Sequence, residues 1–502
     1  MDILASLAFG FSVALTPENL LYCLIGTVLG TLIGVLPGLG PTATISILLP
    51  ITFGLPPAAS MIMLAGIYYG AQYGGSTTSI LVNLPGEASS VVTCIDGYQM
   101  ARQGRAGPAL TIAAMGSLFA GVVGTLCLAL LGPPLAEVAL NFGPAEYFSL
   151  MVLGLIGAVV LASGSVLKAV GMIFVGLVLG SIGTDVNTGV ARFSFGFHEL
   201  GDGIDFIVVA MGIFGLAEIM RNLETPENRE VLMQKIGKLM PNRDEIRRSI
   251  PAVLRGTAIG SALGALPGAG AVISSFSAYA LEKKISREPE RFGKGAVEGV
   301  AAPEAANNAC AQTAFIPLLT LGIPGGAVTA LMLGALMIQG IAPGPQVMTR
   351  NPDIFWGLIA SMWIGNVFLV ILNLPMIGIW VKLLRVPYRF LFPAILLFCC
   401  IGVFSLHNAT FDLILMVIFA AFGYALLKFG CEPAPMLLGF ILGPMMEENL
   451  RRALLLSRGD PMVLVTRPIS ASILALSLIL ICMMLLPALG RRRKEVFADS
   501  ED

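Results

Sequence analysis

Apolar residues run through this chain in long unbroken stretches, and charge is confined to the gaps between them. Residues 19–86 contain no Asp, Glu, Lys or Arg. Further charge-free windows cover 106–136, 147–167, 256–281, 305–349, 354–381 and 468–490. A bilayer core takes about 20 mostly apolar residues per helix, so the windows predict roughly ten to thirteen spans. Only helices or closed barrels satisfy their backbone in lipid, and these runs are too long and too apolar for barrel strands. The expected fold class is an all-α polytopic membrane protein. Residues 3–15 read as a retained interfacial or first membrane segment, since MDILASLAFGFSVALTPEN lacks the basic start of a cleaved leader.

Within the first window the pattern breaks its own helices. GTVLGTLIGVLPGLG (26–40) carries five glycines and a proline, and Pro41, Pro50, Pro56 and Pro57 follow. The stretch recurs as GTAIGSALGALPGAG (256–270), at an offset of 230, with Gly26, Thr27, Gly30, Gly34, Leu36, Pro37, Gly38 and Gly40 matched by identical residues. A second pair, NLPG (83–86) and GIPG (322–325), is offset by 239, and the difference fits a charged insert near 282–298. Polar patches precede each member of that pair: GGSTTS (74–79) and NNACAQT (307–313). The chain therefore divides into an N-terminal segment (1–16), a first membrane repeat (17–222), a basic linker (223–250), a second repeat (251–450) and a last helix with its tail (451–502). Inverted topology is the preferred relation between the repeats.

Gly26, Gly30 and Gly34 have the spacing that lets membrane helices approach closely. The P-G-x-G element needs another account. Proline removes a helix donor and clashes with the preceding turn, and the glycines tolerate backbone that other residues do not. One helix ends there and another starts, near Pro41 in the first copy and Ala271 in the second. Freed backbone groups at membrane depth are tolerable when they are buried in protein or line a wet cavity. Paired breaks in corresponding positions are the sequence pointer to a secondary-transporter binding site. A helix N-terminus suits a carboxylate, and unwound carbonyls or Ser/Thr/Asn oxygens suit Na⁺.

The candidate solute-binding residues are therefore Pro37, Gly38, Gly40, Thr42 and Thr44 at the first break, with Pro267, Gly268, Gly270, Ser274 and Ser275 at the second. Ser76, Thr77, Thr78, Asn83, Pro85 and Gly86 join them from the first polar patch and NLPG. Asn307, Asn308, Thr313, Pro324 and Gly325 join from the second. Na⁺ sites are expected near these breaks. Glu87, directly after NLPG, reads first as a membrane-edge carboxylate and second as a proton or Na⁺ site. Glu304 stands equally for an intramembrane functional acid and a structural one. Asp185 and Arg192 read as parts of an ordered loop, and His407 as an interface residue.

Composition agrees with this picture. Hydrophobic residues make up 56% and charged residues 12% of the 502, against roughly 25% charged in an ordinary soluble domain. The net charge of −1 gives no footing for nucleic acid. The eight cysteines are scattered without a C-x-x-C, and two histidines cannot form a histidine metal cluster. No P-loop, nucleophile elbow or paired carboxylates are present, so neither ATP nor an intramembrane enzyme is expected, and no organic cofactor. The default energy source is a cation gradient, Na⁺ or H⁺. Lys and Arg concentrate in 221–255, in 283–294 and in the tail RRRKE (491–495), which the positive-inside bias places in the cytoplasm. ENLRRALLLSR (448–458) conflicts with that bias, because only one span separates it from the tail. Either it lines a polar cavity or the helix count there is off.

Five blocks in order resemble the large membrane subunit of the tripartite tricarboxylate transporter family. They are GTVLGTLIGVLPGLGPTATISILLPITF (26–53), YYGAQYGGSTTSILVNLPGE (68–87), GTDVNTGVARFSFG (183–196), EGVAAPEAANNA (298–309) and LGPMMEENLRRAL (442–454). The resemblance implies a bacterial inner-membrane permease for di- or tricarboxylates. It would work with a small membrane subunit and a periplasmic solute-binding protein, driven by Na⁺ or H⁺. The rival expectations are a non-transporting scaffold or receptor for the binding protein, or an ion channel.

Overall fold

The computed structural model describes residues 3–36, 39–161, 165–185, 188–224, 238–266, 270–383 and 388–485. Pro37, Gly38, Pro267 and Gly268, residues 225–237 of the basic linker and the tail RRRKE lie outside the described residues. In the first half the helices are α1 (Ile3–Ala14), α2 (Pro17–Gly34), α3 (Pro41–Thr52), α4 (Pro57–Val82), α5 (Val91–Arg102), α6 (Ala106–Ala139), α7 (Pro144–Leu161) and α8 (Val166–Gly180). Next come α9 (Phe206–Ala210) and α10 (Ala217–Glu224), joined by a π-helical stretch, Met211–Leu216. The second half holds α11 (Arg243–Gly264), α12 (Gly270–Ile285), α13 (Glu298–Thr313), α14 (Phe315–Leu321), α15 (Ala327–Ile338), α16 (Gln346–Arg350), α17 (Pro352–Asn373) and α18 (Ile377–Leu383). It continues through α19 (Tyr388–His407), α20 (Thr410–Lys428), α21 (Ala434–Leu456), α22 (Val463–Thr466) and α23 (Pro468–Leu485). The described strands are two short ones, β1 (Gly183–Thr184) and β2 (Ala191–Arg192), paired antiparallel with Gly183 opposite Arg192.

Among the described residues, five helices are long and apolar enough to cross a membrane: Pro17–Gly34, Ala106–Ala139, Phe206–Glu224, Pro352–Asn373 and Thr410–Lys428. Shorter apolar helices accompany them, including Pro41–Thr52 and Ala327–Ile338, each of which starts at a chain break. The protein is an all-α polytopic membrane protein.

The helix directions follow from a few contacts. Helix α6 runs the depth of the molecule. At its start Arg105 binds Glu245 (Nε to Oε1, 2.9 Å), and Thr111 donates to the Leu239 carbonyl (2.8 Å). Past its far end, Glu146 in the first turn of α7 pairs with Arg467 at 2.7 Å. Helix α17 runs the opposite way, with Phe355 against Gly132 and Asn366 against Gly121. Helix α2 runs parallel to α17, since Cys23 donates to the Ser361 carbonyl and Gly365 faces Cys23 and Thr27. It thus enters from the Glu146 end, whereas α11 enters from the Glu245 end.

Each of these helices turns back. Arg255 on α11 pairs with Glu282 on α12 at 2.6 Å, which brings α12 back to the end where α11 began. Gln339, just beyond α15, donates to the Thr52 carbonyl (3.3 Å) at the end of α3. The chain therefore forms two helical hairpins, α2–α3 and α11–α12, that enter from opposite ends. Both entrances are capped. Thr16 accepts from the Asn19 amide ahead of Pro17. Asn242 and Glu245 form a reciprocal capping box at 2.8 Å in both directions.

The glycine stripes lock each hairpin onto the helix that follows it. A methyl group on Gly26, Gly30 or Gly34 would lie 2.3, 2.3 or 2.4 Å from the carbonyl oxygens of Met63, Ile67 and Ala71 on α4. Gly256, Gly260 and Gly264 stand at 2.3, 2.2 and 2.4 Å from those of Ala302, Ala306 and Cys310 on α13. The two sets of partners differ by 239, the offset of the second sequence pair. The following helices are interrupted alike. Asn83 ends α4 and Gly322 ends α14, both in the left-handed region (φ 57° and 71°) and both at equivalent positions.

The basic segment 448–458 lies at the Glu146 end, on α21 and just past it, with the short α22 and then α23 after it. There Arg451 binds Asp185 at 2.9 Å and Glu447 at 2.6 Å, and Arg192 binds Glu447 at 2.9 Å. Arg452 pairs with Glu448. Local carboxylates thus offset the positive charge, and Asp185 and Arg192 anchor the β1–β2 turn. His407 is exposed and sits 2.9 Å from Asp412.

Candidate functional site

The hairpin tips meet the interrupted helices near mid-depth. Gly40, the residue before α3, lies against Gly86 and Glu87, and a methyl group on Gly86 would strike the Gly75 Cα at 2.3 Å and the Gly34 carbonyl at 2.9 Å. On the other side Gly325 approaches the Gly264 carbonyl. Equivalent positions thus touch in both halves: the end of α2 with the first break, and the end of α11 with the second. Four helices begin at these points, α3, α5, α12 and α15, so their electropositive N-terminal ends gather around the breaks. Tip and break touch within each half, and α4 and α13 link the polar residues of the two halves.

These two helices cross antiparallel. Gln72 donates to Asn307 (Nε2 to Oδ1, 3.1 Å), and Ser76 donates to Glu304 (Oγ to Oε2, 2.6 Å). The other Glu304 oxygen accepts from Thr93 at 2.5 Å. Asn307 in turn donates to Glu87 at 2.8 Å, and Ser89 donates to the same oxygen at 2.5 Å. Asn308 donates to Ser117 on α6 at 2.7 Å. All of these side chains on α4, α6 and α13 are buried. A cavity of about 10 Å³ opens beside Glu304, between Tyr73, Ser76, Thr77, Ser117 and Asn373.

The remaining expected residues divide by what their oxygens do. Thr44 and Ser274, equivalent in the two copies, both donate to carbonyls four residues back, at Gly40 (2.9 Å) and Gly270 (3.2 Å). Ser275 donates across to the Pro303 carbonyl at 3.3 Å. Thr78 ties α4 to the end of α2 through the Val35 carbonyl (2.8 Å), and Thr313 packs against Gly264 at the second tip. The Thr42 carbonyl accepts from Ser46 at 2.8 Å. Asn83 is exposed, Pro85 half-buried, and Pro324 and Gly325 are buried in the second break. Gln72, Tyr73, Thr93, Ser117 and Asn373 join the polar centre without having been expected there. Asn373 carried a signal as one of two amides, with Asn366, inside the charge-free window 354–381, whereas Ser117 and Thr93 carried none.

Among the described residues no group of three His, Cys, Asp or Glu side chains could hold a metal ion. Two acids without a cationic partner, two opposed hairpins and a polar crossing inside an apolar bundle define a membrane protein of transporter type. The chain belongs to the tripartite tricarboxylate transporter TctA family, whose model matches residues 20–438. A protein of Agrobacterium vitis described as "Uncharacterized 52.8 kDa protein in TAR-I ttuC' 3'region" is 58% identical over 501 residues, covering all of both chains. Another from the same organism, "Uncharacterized protein in TAR-II ttuC' 3'region", is 57% identical over 242 residues, which is 48% of this chain and all of that one. No solved structure matches the chain significantly.

Proposed function

We propose that this chain is the permease of a cation-coupled uptake system for di- or tricarboxylates in the bacterial inner membrane. A periplasmic binding protein delivers the solute, and a small membrane subunit completes the complex. The single observation that carries this reading is the pair of opposed hairpins whose tips abut interrupted helices. That geometry brings helix ends from both ends of the bundle towards one polar centre, the arrangement expected of alternating access around a midplane site. The N-terminal ends of α3, α5, α12 and α15 suit an anionic solute, and no fixed Lys or Arg is needed to attract it. In this reading residues 17–222 and 251–450 are the two repeats. The end bearing Arg105, Arg243, Lys283 and Lys284 faces the cytoplasm. The absence of a nucleotide motif leaves an ion gradient as the driving force.

Proteoliposomes holding the two membrane subunits, given solute-loaded binding protein, test this directly. Accumulation should follow an imposed cation gradient and need no nucleotide. Accumulation that requires internal ATP and ignores Na⁺ and H⁺ gradients would overturn the reading.

A further inference from the structure

The cavity beside Glu304 has a chemistry of its own. Elsewhere in the described structure the buried acids have charged or dense partners. Glu245 has Arg105, Glu282 has Arg255, Asp185 has Arg451, and Asp96 accepts the amides of Gly293, Gly295 and Ala296. Glu304 has only the hydroxyls of Ser76 and Thr93. Among the described residues no Lys, Arg or His lies within ion-pair distance of it. Its titratable neighbours are Tyr73, Cys94 and Glu87, none of them cationic. A carboxylate buried without a counter-charge calls for a positive partner, either a proton or a cation.

The lining shows which kind. Six of the ten lining residues bring a side-chain oxygen: Tyr73, Ser76, Thr77, Ser117, Glu304 and Asn373. A hydroxyl has one proton and two lone pairs. Thr77 directs its proton to the Tyr73 carbonyl (3.2 Å), and the Tyr73 hydroxyl is 3.5 Å from the Ala114 carbonyl. Ser117 accepts from Asn308. Asn373 gives its amide hydrogen to the Leu369 carbonyl at 2.9 Å, which fixes its orientation, and its buried Oδ1 has no partner. Asn308 Oδ1 and Gln72 Oε1 nearby are likewise buried and unpaired. The shell is thus rich in acceptors and poor in donors. A proton on Glu304 would satisfy one acceptor, whereas a small hard cation satisfies several oxygens at once. A cavity of about 10 Å³ has room for one water-sized occupant.

We propose that this cavity binds a single Na⁺ ion, held by the Glu304 carboxylate, the Asn373 amide oxygen and the hydroxyls of Ser76, Thr77 and Ser117. The assignment rests on the transport reading for its purpose, because Na⁺ here would be the coupling ion. It lies one helix turn from the Asn307–Glu87 contact that faces the first break. Na⁺ occupancy screens the Glu304 charge at the centre where an anionic solute must approach, so each ligand favours entry of the other.

The test uses the purified complex of the two membrane subunits in lipid nanodiscs and measures ²²Na⁺ binding and Na⁺-dependent thermal stabilisation. The wild-type complex should bind Na⁺ saturably and melt at a higher temperature in Na⁺ than in choline. Glu304→Gln should lose binding at least tenfold and lose the Na⁺-dependent shift, while melting normally in choline. Asn373→Leu should weaken binding by a similar factor, which guards against a single misfolded variant. Equal Na⁺ binding by wild type and Glu304→Gln would overturn the site. So would no Na⁺ binding by wild-type protein that accumulates solute on a pH gradient. Intact Na⁺ binding with no solute uptake under any gradient would uphold the site and sink the transport reading instead.

Discussion

Replacing Gly30 or Gly260 by alanine tests the equivalence of the two hairpins in a quantity the structure supplies. A methyl group on Gly30 would lie 2.3 Å from the Ile67 carbonyl oxygen, 2.8 Å from its Cα and 2.9 Å from its carbonyl carbon. On Gly260 the corresponding distances to Ala306 are 2.2, 2.8 and 2.8 Å. Every obstacle is backbone, so no rotamer change relieves it. The helices must separate by about 1 Å, and overpacking of this kind typically costs about 1–3 kcal/mol. Alanine recovers about 1 kcal/mol of helix propensity, so the net loss in each hairpin is up to about 2 kcal/mol. Gly171 on α8 is the control, because a methyl group there meets nothing within 4 Å. Gly171→Ala should leave stability unchanged or raise it by up to about 1 kcal/mol. Thermal melts of the purified protein, read by size-exclusion fluorescence, should show Gly30→Ala and Gly260→Ala lowered by similar amounts. Melts of both variants indistinguishable from wild type would refute the close backbone packing. A large loss at one glycine alone would refute the equivalence.

Three other outcomes follow from the contacts. Arg451→Ala strips the 2.9 Å partner from buried Asp185 and should cost about 1–3 kcal/mol in the same melts, while Arg452→Ala, in an exposed pair, should stay within about 0.5 kcal/mol. In a cysteine-free background, Lys284→Cys should resist an impermeant thiol reagent in intact cells while Asp460→Cys reacts; the reverse pattern would invert the assigned orientation. Asn307→Leu breaks the bridge from Gln72 to Glu87 and should raise the apparent KM for solute about 10–100-fold (about 1–3 kcal/mol), with normal KM counting against a site at the first break.

The repeated sequence made the scaffold legible. Offsets of 230 and 239 placed the helix breaks, and the second of them relates Met63 to Ala302 and Asn83 to Gly322 in space. Backbone geometry of this kind is written in Gly and Pro, whose constraints are local, so a single sequence shows it. Side-chain partnership is not written that way. Thr44 and Ser274 are a matched pair of hydroxyls, and the sequence did not show that both donate to their own helix's backbone. Ser117 and Thr93 gave no sign of their role, because one hydroxyl in an apolar helix looks alike whether or not an acid waits opposite.

The polar centre departs from the symmetry that frames it, and this departure carries an argument. At the repeat offset, Glu87 corresponds to Gly326 and Glu304 to Ala65, while Ser76 and Thr77 correspond to Phe315 and Ile316. The hairpins and breaks come in twos, whereas these acids and hydroxyls have no counterpart in the other half. A strictly two-fold centre would place equivalent carboxylates opposite each other, around one cation on the axis or two off it. In the proposed transport reading, the symmetric backbone would open alternately towards either end, and the single copy of each acid would set how many charges travel. Moving the acid tests that division. Ala65→Glu with Glu304→Ala should keep the hairpin packing and thermal stability of Glu304→Ala alone but fail to restore Na⁺ binding, since Ser76, Thr77, Ser117 and Asn373 remain on the original side. Restored Na⁺ binding in the swapped protein would show that the symmetric frame, rather than this single cluster of oxygens, defines the site.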